Sequence, residues 1–225
     1  MIAVSDQVSP TPLRDASRQK LLTAILQEVP FTGWNQACLA AAAEAVGHSP
    51  AHAERLFPGG VPEVFEYWSH ELDAAMVAWL QSPEAQTLRT VARAEAAILW
   101  RLQSLTPHRE AAKLAMQRMS FPHHRGGTAL AMALVGRTVD ELWYGLGDRS
   151  TDYNWYSKRI LLAGVYLPTI SYWLSPAAPS LADTEAFLHR QMSRIMSASS
   201  FGKRIVTKII SSLSLPAASF KRRDG

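Results

Sequence analysis

Residues 35–57 read NQACLAAAAEAVGHSPAHAERLF, and this stretch decides the fold. Leu39, Ala40 and Ala43 repeat at helical spacing before Gly47, a residue free to adopt the backbone of a tight turn. Ser49-Pro50 then opens a second, short helix, with a capping side chain followed by proline at the first helical position, and the Pro58-Gly59-Gly60 cluster ends it. Two short helices joined this way form a helix-turn-helix. Upstream, Leu21, Leu22, Ile25 and Val29 fall on one face of a helix over about 16–29, closed by Val29-Pro30 and Gly33. Residues 1–15, with Pro10 and Pro12, read as a mobile arm.

Downstream, apolar residues recur at three- and four-residue spacing nearly everywhere, and no long run alternates at period two. The chain is therefore expected to be all-α. Helices are expected over about 62–81, 84–105, 108–119, 126–145, 152–174 with a kink at Pro168, and 180–198. Ser199, Ser200 and Gly202 read as a hinge before a last piece over about 203–214. The division expected is an arm, a helix-turn-helix domain over 16–60, a helical ligand and dimerisation domain over 61–199, and a tail over 200–225. The helix-turn-helix followed by a long helical body resembles TetR-type regulators. A regulator of that type, with a hydrophobic ligand, is the alternative reading of the chain.

Charge argues against DNA as the partner. The 225 residues carry a formal +4, which invites an anionic polymer or surface, but the cations and acids between residues 14 and 60 balance. The second helix offers His52, Glu54 and Arg55 among Ala51, Ala53 and Leu56, little with which to read base edges. The excess sits at the end of the chain. Residues 203–225 hold Lys203, Arg204, Lys208, Lys221, Arg222 and Arg223 against Asp224 alone, a net +5, so the rest of the chain is slightly acidic. Ile205, Val206, Ile209, Ile210 and Leu213 form one apolar stripe within this tail. An apolar stripe flanked by cations suits a helix lying among anionic headgroups, and the tail is expected to bind a membrane surface. A last helix packed on the body is the alternative.

Catalytic and metal patterns are missing. There is no Glu-x-x-His, His-Glu-x-x-His, Gly-x-Ser-x-Gly or Gly-x-Gly-x-x-Gly, and Cys38 is the only cysteine. His48 and His52 read as solvated turn residues, and His123-His124 lie beside Pro122 in a loop. No metal, catalytic residue or cofactor is expected. The seven Trp, seven Met and many Ala suit either a filled core or a pocket for a large flexible ligand. The longest apolar runs are far shorter than the roughly 18 residues of a spanning helix, so membrane contact is expected to be peripheral.

The densest signal runs from Leu142 to Arg159. Neighbouring Trp155 and Tyr156 diverge by about 100° on a helix, so at least one is expected at the surface. The block Asp148-x-Ser150-Thr151-Asp152-Tyr153-Asn154-Trp155-Tyr156-x-Lys158-Arg159, with Leu161-Leu162-Ala163 and Tyr166 after it, resembles the signature of the ubiquinone-biosynthesis accessory family called coenzyme Q protein nine. Arg18-Gln19-Lys20-Leu21-Leu22, Pro30, Gly33 and Trp34 resemble that family's start, and the likeness spans about 16–200. The resemblance implies a TetR-like fold without DNA binding, a homodimer, a pocket for isoprenoid lipid or quinone precursor, and an amphipathic last helix on the membrane. It also implies a patch docking the di-iron demethoxyubiquinone hydroxylase, formed by Leu142, Asp152, Trp155, Tyr156 and Arg159, and Gly145 stands where a larger apolar residue is expected. Mitochondrial members carry a transit peptide, and the opening residues here do not resemble one. The expected location is thus the bacterial cytoplasm, peripheral on the inner membrane, or the matrix side in a eukaryote.

Overall fold

The computed structural model describes residues 10–120, 126–147 and 153–213, with side chains over 14–120, 126–147 and 158–197. Every element in these segments is helical: α1 (Pro10–Thr32), α2 (Gln36–Ala45), α3 (Pro50–Leu56), α4 (Val61–Leu80), α5 (Pro83–Gln86), α6 (Thr90–Leu105), α7 (Arg109–Ser120), α8 (Gly127–Gly145), α9 (Tyr153–Trp173) and α10 (Leu181–Leu213). A single 3-10 turn, Thr106–His108, links α6 to α7.

The helix-turn-helix forms as its punctuation dictates. Asn35 Oδ1 accepts from the Cys38 N–H at 2.9 Å and starts α2. Gly47 takes φ +80 after α2, and the His48 N–H turns back to the Ala43 carbonyl at 2.8 Å. The expected Ser49 side-chain cap is not made, although Pro50 does occupy the first turn of α3. Leu21, Leu22, Ile25 and Val29 of α1 are all buried, as their spacing requires, against α2 and α3.

Four boundaries differ from expectation. α1 starts at Pro10, inside the expected arm, because Pro10 and Pro12 fall in a first turn whose N–H groups have no helical acceptor anyway. It also absorbs Pro30 and ends at Thr32, where the Gly33 N–H bonds the Val29 carbonyl at 2.8 Å with φ +73. The helix expected over 84–105 is broken between α5 and α6. Gln86 Nε2 donates to the Leu80 carbonyl at 2.9 Å, and Arg93 bridges to Gln86 and to the Leu146 carbonyl, fixing the intervening turn. The hinge expected at Ser199, Ser200 and Gly202 is replaced by uninterrupted α10, since one helical Gly costs only about 1 kcal/mol and the flanking residues keep helical spacing. The expected border at 199/200 thus falls inside one helix. α9 runs through Pro168, as expected.

α4 packs on α6 and α8, α9 lies between α8 and α10, and α7 bridges α8 and α1. The buried side chains form one cluster running from α1 through α10. Two residues join the helix-turn-helix to the body. Trp34 donates through Nε1 to the Ala111 carbonyl at 2.9 Å and sets its ring edge-on to Phe65 at 4.6 Å. Arg18 pairs with Glu63, donates to the Leu56 carbonyl at 2.9 Å and lies over the rings of Phe57 and Tyr67.

Gly145 is explained by α4. A Cβ there would stand 2.6 Å from Cδ1 of Leu80, which is fully buried. Replacing Gly145 with the larger apolar residue expected at that position therefore overpacks the contact. Gly145→Leu should lower stability by about 1–3 kcal/mol, read as a shifted urea midpoint at unchanged slope.

Candidate functional site: an apolar cavity with one polar wall

A cavity of about 220 Å³ lies among α4, α6, α7, α8 and α9. Alanines make the room: Ala112 and Ala115 on α7 and Ala131 on α8 leave space between helices. Trp68, Met116 and Met119 line it, so the abundance of Ala, Met and Trp marks a pocket as well as a filled core.

One wall is polar and centred on Arg101 of α6, only 4% exposed. Its Nε donates to Asp73 Oδ1 at 3.0 Å, Nη1 to the Tyr166 hydroxyl at 2.9 Å, and Nη2 to Ser69 Oγ at 3.0 Å and Thr138 Oγ1 at 3.3 Å. Thr138 in turn donates to Asp73 Oδ1 at 2.9 Å. The guanidinium thus ties together α4, α6, α8 and α9. A charge this deep persists only when paired and hydrogen-bonded, and both conditions are met. Asp73 Oδ2 has no protein partner among the described residues. Burial pushes the Tyr166 phenol above its ordinary pKa, with Arg101 pulling the other way. Apart from Tyr166 this cluster carries no signal in the sequence, since a lone Arg and a lone Asp on two helices match no motif.

Of the expected docking residues, Leu142 and Arg159 have described side chains. Arg159 pairs with Asp140, joining α9 to α8, and Lys158 lies 5.6 Å from the centroid of the Trp143 ring. Leu142 is 1% exposed and belongs to the core, because its side of α8 packs on α4. It supports the surface from beneath and does not present itself. Asp152 lies outside the described residues, as do the side chains of Trp155 and Tyr156. Tyr144 and Ile160, about 70% exposed each, are large apolar surface residues that the sequence reading passed over. The tail residues Lys203, Arg204, Ile205, Val206, Lys208, Ile209, Ile210 and Leu213 sit on the helical backbone of α10, with their side chains outside the described set.

His48 and His52 stack with ring centroids 4.3 Å apart, and burial, then His48 and Arg55, lower the His52 pKa. Among the described residues, no three His, Cys, Asp or Glu side chains gather to hold a metal ion. Nor is any helix there long and apolar enough to cross a membrane.

Residues 128–199, which span α8, α9 and the first part of α10, match the COQ9 family profile. Similar proteins include the mitochondrial ubiquinone biosynthesis protein COQ9 of Drosophila melanogaster, 33% identical over 79% of this chain and 55% of that protein. The COQ9 of Bos taurus is 29% identical over 84% of this chain and 60% of its own length. Most of this chain is similar to COQ9. The chain spans a little over half the length of these curated relatives. A solved TetR transcriptional regulator from Nitrosomonas europaea superposes with a TM-score of 0.64 at 19% identity, covering 81% of this chain and 99% of the regulator, so the fold is TetR-like.

The network makes a stability prediction. Asp73→Ala leaves the Arg101 charge buried without its partner and should cost about 3–5 kcal/mol, measured by urea unfolding.

Proposed function

We propose that the chain is a lipid-binding accessory protein of ubiquinone biosynthesis. In this reading it takes isoprenoid quinone precursors from a membrane and presents them to the di-iron demethoxyubiquinone hydroxylase, contributing no catalytic residue of its own. The observation that carries it is the apolar cavity among α4, α6, α7, α8 and α9, of which α8 and α9 belong to the segment that matches COQ9. The relatives are titled ubiquinone biosynthesis proteins and mitochondrial, which supports the pathway; the location that goes with this reading is the inner membrane, on its cytoplasmic side in a bacterium or its matrix side in a eukaryote. Asp152, Trp155, Tyr156 and Arg159 would meet the hydroxylase, the apolar stripe of α10 with its flanking cations would lie on anionic lipid, and the protein would act as a homodimer.

Native mass spectrometry of the purified protein is the direct test: a copurifying isoprenoid is the expected result, and its absence together with no uptake of added prenyl quinone overturns lipid binding. For the anchor, ending the chain at Gly202 should abolish sedimentation with anionic liposomes, whereas equal sedimentation would remove the tail from the account. For the patch, Trp155→Ala should weaken association with the hydroxylase while the helical circular dichroism is unchanged.

A TetR-type regulator with a hydrophobic ligand is the second reading, favoured by the geometry of α2 and α3. Its difficulty is charge. Arg18 is committed to Glu63, Lys20 lies 3.3 Å from the Val46 carbonyl, and Arg55 contacts His52 at 3.2 Å. Tight sequence-selective DNA binding in a low-salt gel shift would reinstate it.

A further inference from the structure

The polar wall of the cavity is half committed. Ser69 Oγ and the Tyr166 hydroxyl each accept from Arg101, at 3.0 and 2.9 Å, and both side chains line the cavity. Both residues are more than nine-tenths buried, at 8% and 4% exposure. A hydroxyl carries one donor besides its lone pairs, and neither O–H reaches a protein acceptor among the described residues. Thr138 differs: it accepts from Arg101 and donates to Asp73, so its hydrogen bonding is complete. A hydroxyl that accepts from a guanidinium is polarised and donates more strongly. The wall therefore offers two strengthened donors in an otherwise apolar space.

The sign of the wall narrows the ligand. Arg101 is neutralised by Asp73 at 3.0 Å, so no net positive charge is left to attract a phosphate or carboxylate. What the two O–H groups lack is a neutral acceptor. The volume narrows it further. About 220 Å³ is below the roughly 300–1,000 Å³ of pockets for drug-sized ligands, enough for a ring-sized group and the start of a chain.

We propose that Ser69 and Tyr166 form a head-group subsite for a neutral carbonyl-type oxygen borne on an apolar chain, with Arg101 as the positioning residue behind both hydroxyls. The proposal rests on the lipid-binding reading and adds a direction to it: the oxygenated end enters the cavity and the remainder of a long chain lies outside. Delivery to a partner then requires the head to leave two hydrogen bonds, so the resting protein shields the group it later surrenders. A quinone carbonyl and an acyl ester carbonyl share this chemistry.

The test uses the full chain and three probes with the same two-isoprene chain: a benzoquinone bearing it, its acetate ester, and the chain as an oxygen-free hydrocarbon. Dissociation constants are measured by isothermal titration calorimetry. At least one oxygenated probe should bind about tenfold more tightly than the hydrocarbon, and the tighter of the two identifies the source of the carbonyl. Tyr166→Phe and Ser69→Ala should each weaken the oxygenated probe by roughly fivefold to tenfold, the ratio expected for one lost hydrogen bond, and leave the hydrocarbon unchanged. Tyr166→Phe strips an Arg101 N–H of its acceptor, whereas Ser69→Ala leaves Thr138 on the same nitrogen, so the second variant separates recognition from folding. Equal binding of all three probes, or equal loss for hydrocarbon and oxygenated probe in both variants, overturns the subsite and leaves lipid binding standing. Failure of every probe to bind overturns lipid binding itself.

Discussion

A guanidinium inside a protein must be neutralised and hydrogen-bonded where it lies, and Arg101 imposes that requirement on the helices around it. Its planar fork reaches Asp73 and Ser69 on α4, Thr138 on α8 and Tyr166 on α9. Those partners come from three helices distant in sequence, and only one register of α4, α6, α8 and α9 brings them together. A hydrophobic contact tolerates sliding by a fraction of a residue, but a fork of hydrogen bonds does not. The cavity persists beside this fork because the helices are already placed, and the alanines of α7 and α8 are too small to close the gap.

The same commitment of charge governs the other end of the molecule. Arg18 serves at once as ion-pair partner to Glu63, donor to Leu56 and cation over Phe57 and Tyr67, so this cation of the helix-turn-helix holds α1 to α4. Trp34 does the same for α7. With one buried cluster running through both parts, the helix-turn-helix and the body share a core. The fold is that of a regulator, but function resides in the side chains grafted onto it, and Arg18 is one cation of the helix-turn-helix that is turned to protein.

Helical class, the helix-turn-helix and the buried face of α1 were legible because they depend on local periodicity and on Gly47 and Pro50. The departures are of three kinds, the first being the break between α5 and α6, which no proline or glycine marks and which the contact of Arg93 with the Leu146 carbonyl supports. Prolines and a glycine were read as breaks where the helix had means to absorb them: Pro10 and Pro12 in a first turn, Pro30 in a last turn, Gly202 between helical neighbours. Leu142 is expected in a docking patch only through the family likeness, whereas its burial comes with the packing of α8 on α4, more than sixty residues upstream. The polar wall was illegible for the same reason, since Asp73 and Arg101 stand 28 residues apart and gain meaning only when α4 meets α6.

α8 and α9 serve both the cavity and the surface. On α8, Thr138 faces Arg101 and Asp140, two residues on, pairs with Arg159. On α9, Arg159 and Tyr166 are separated by about two turns, and they hold opposite ends of that arrangement. Any rotation of α9 against α8 that altered the Asp140–Arg159 contact would also displace the Tyr166 hydroxyl from the guanidinium, because a helix of this length moves as a rod. Gly145 tightens the connection further, letting α8 approach Leu80 of α4 where any Cβ would intrude. A surface built on these two helices is therefore mechanically continuous with the wall of the cavity, without any intervening loop to decouple them.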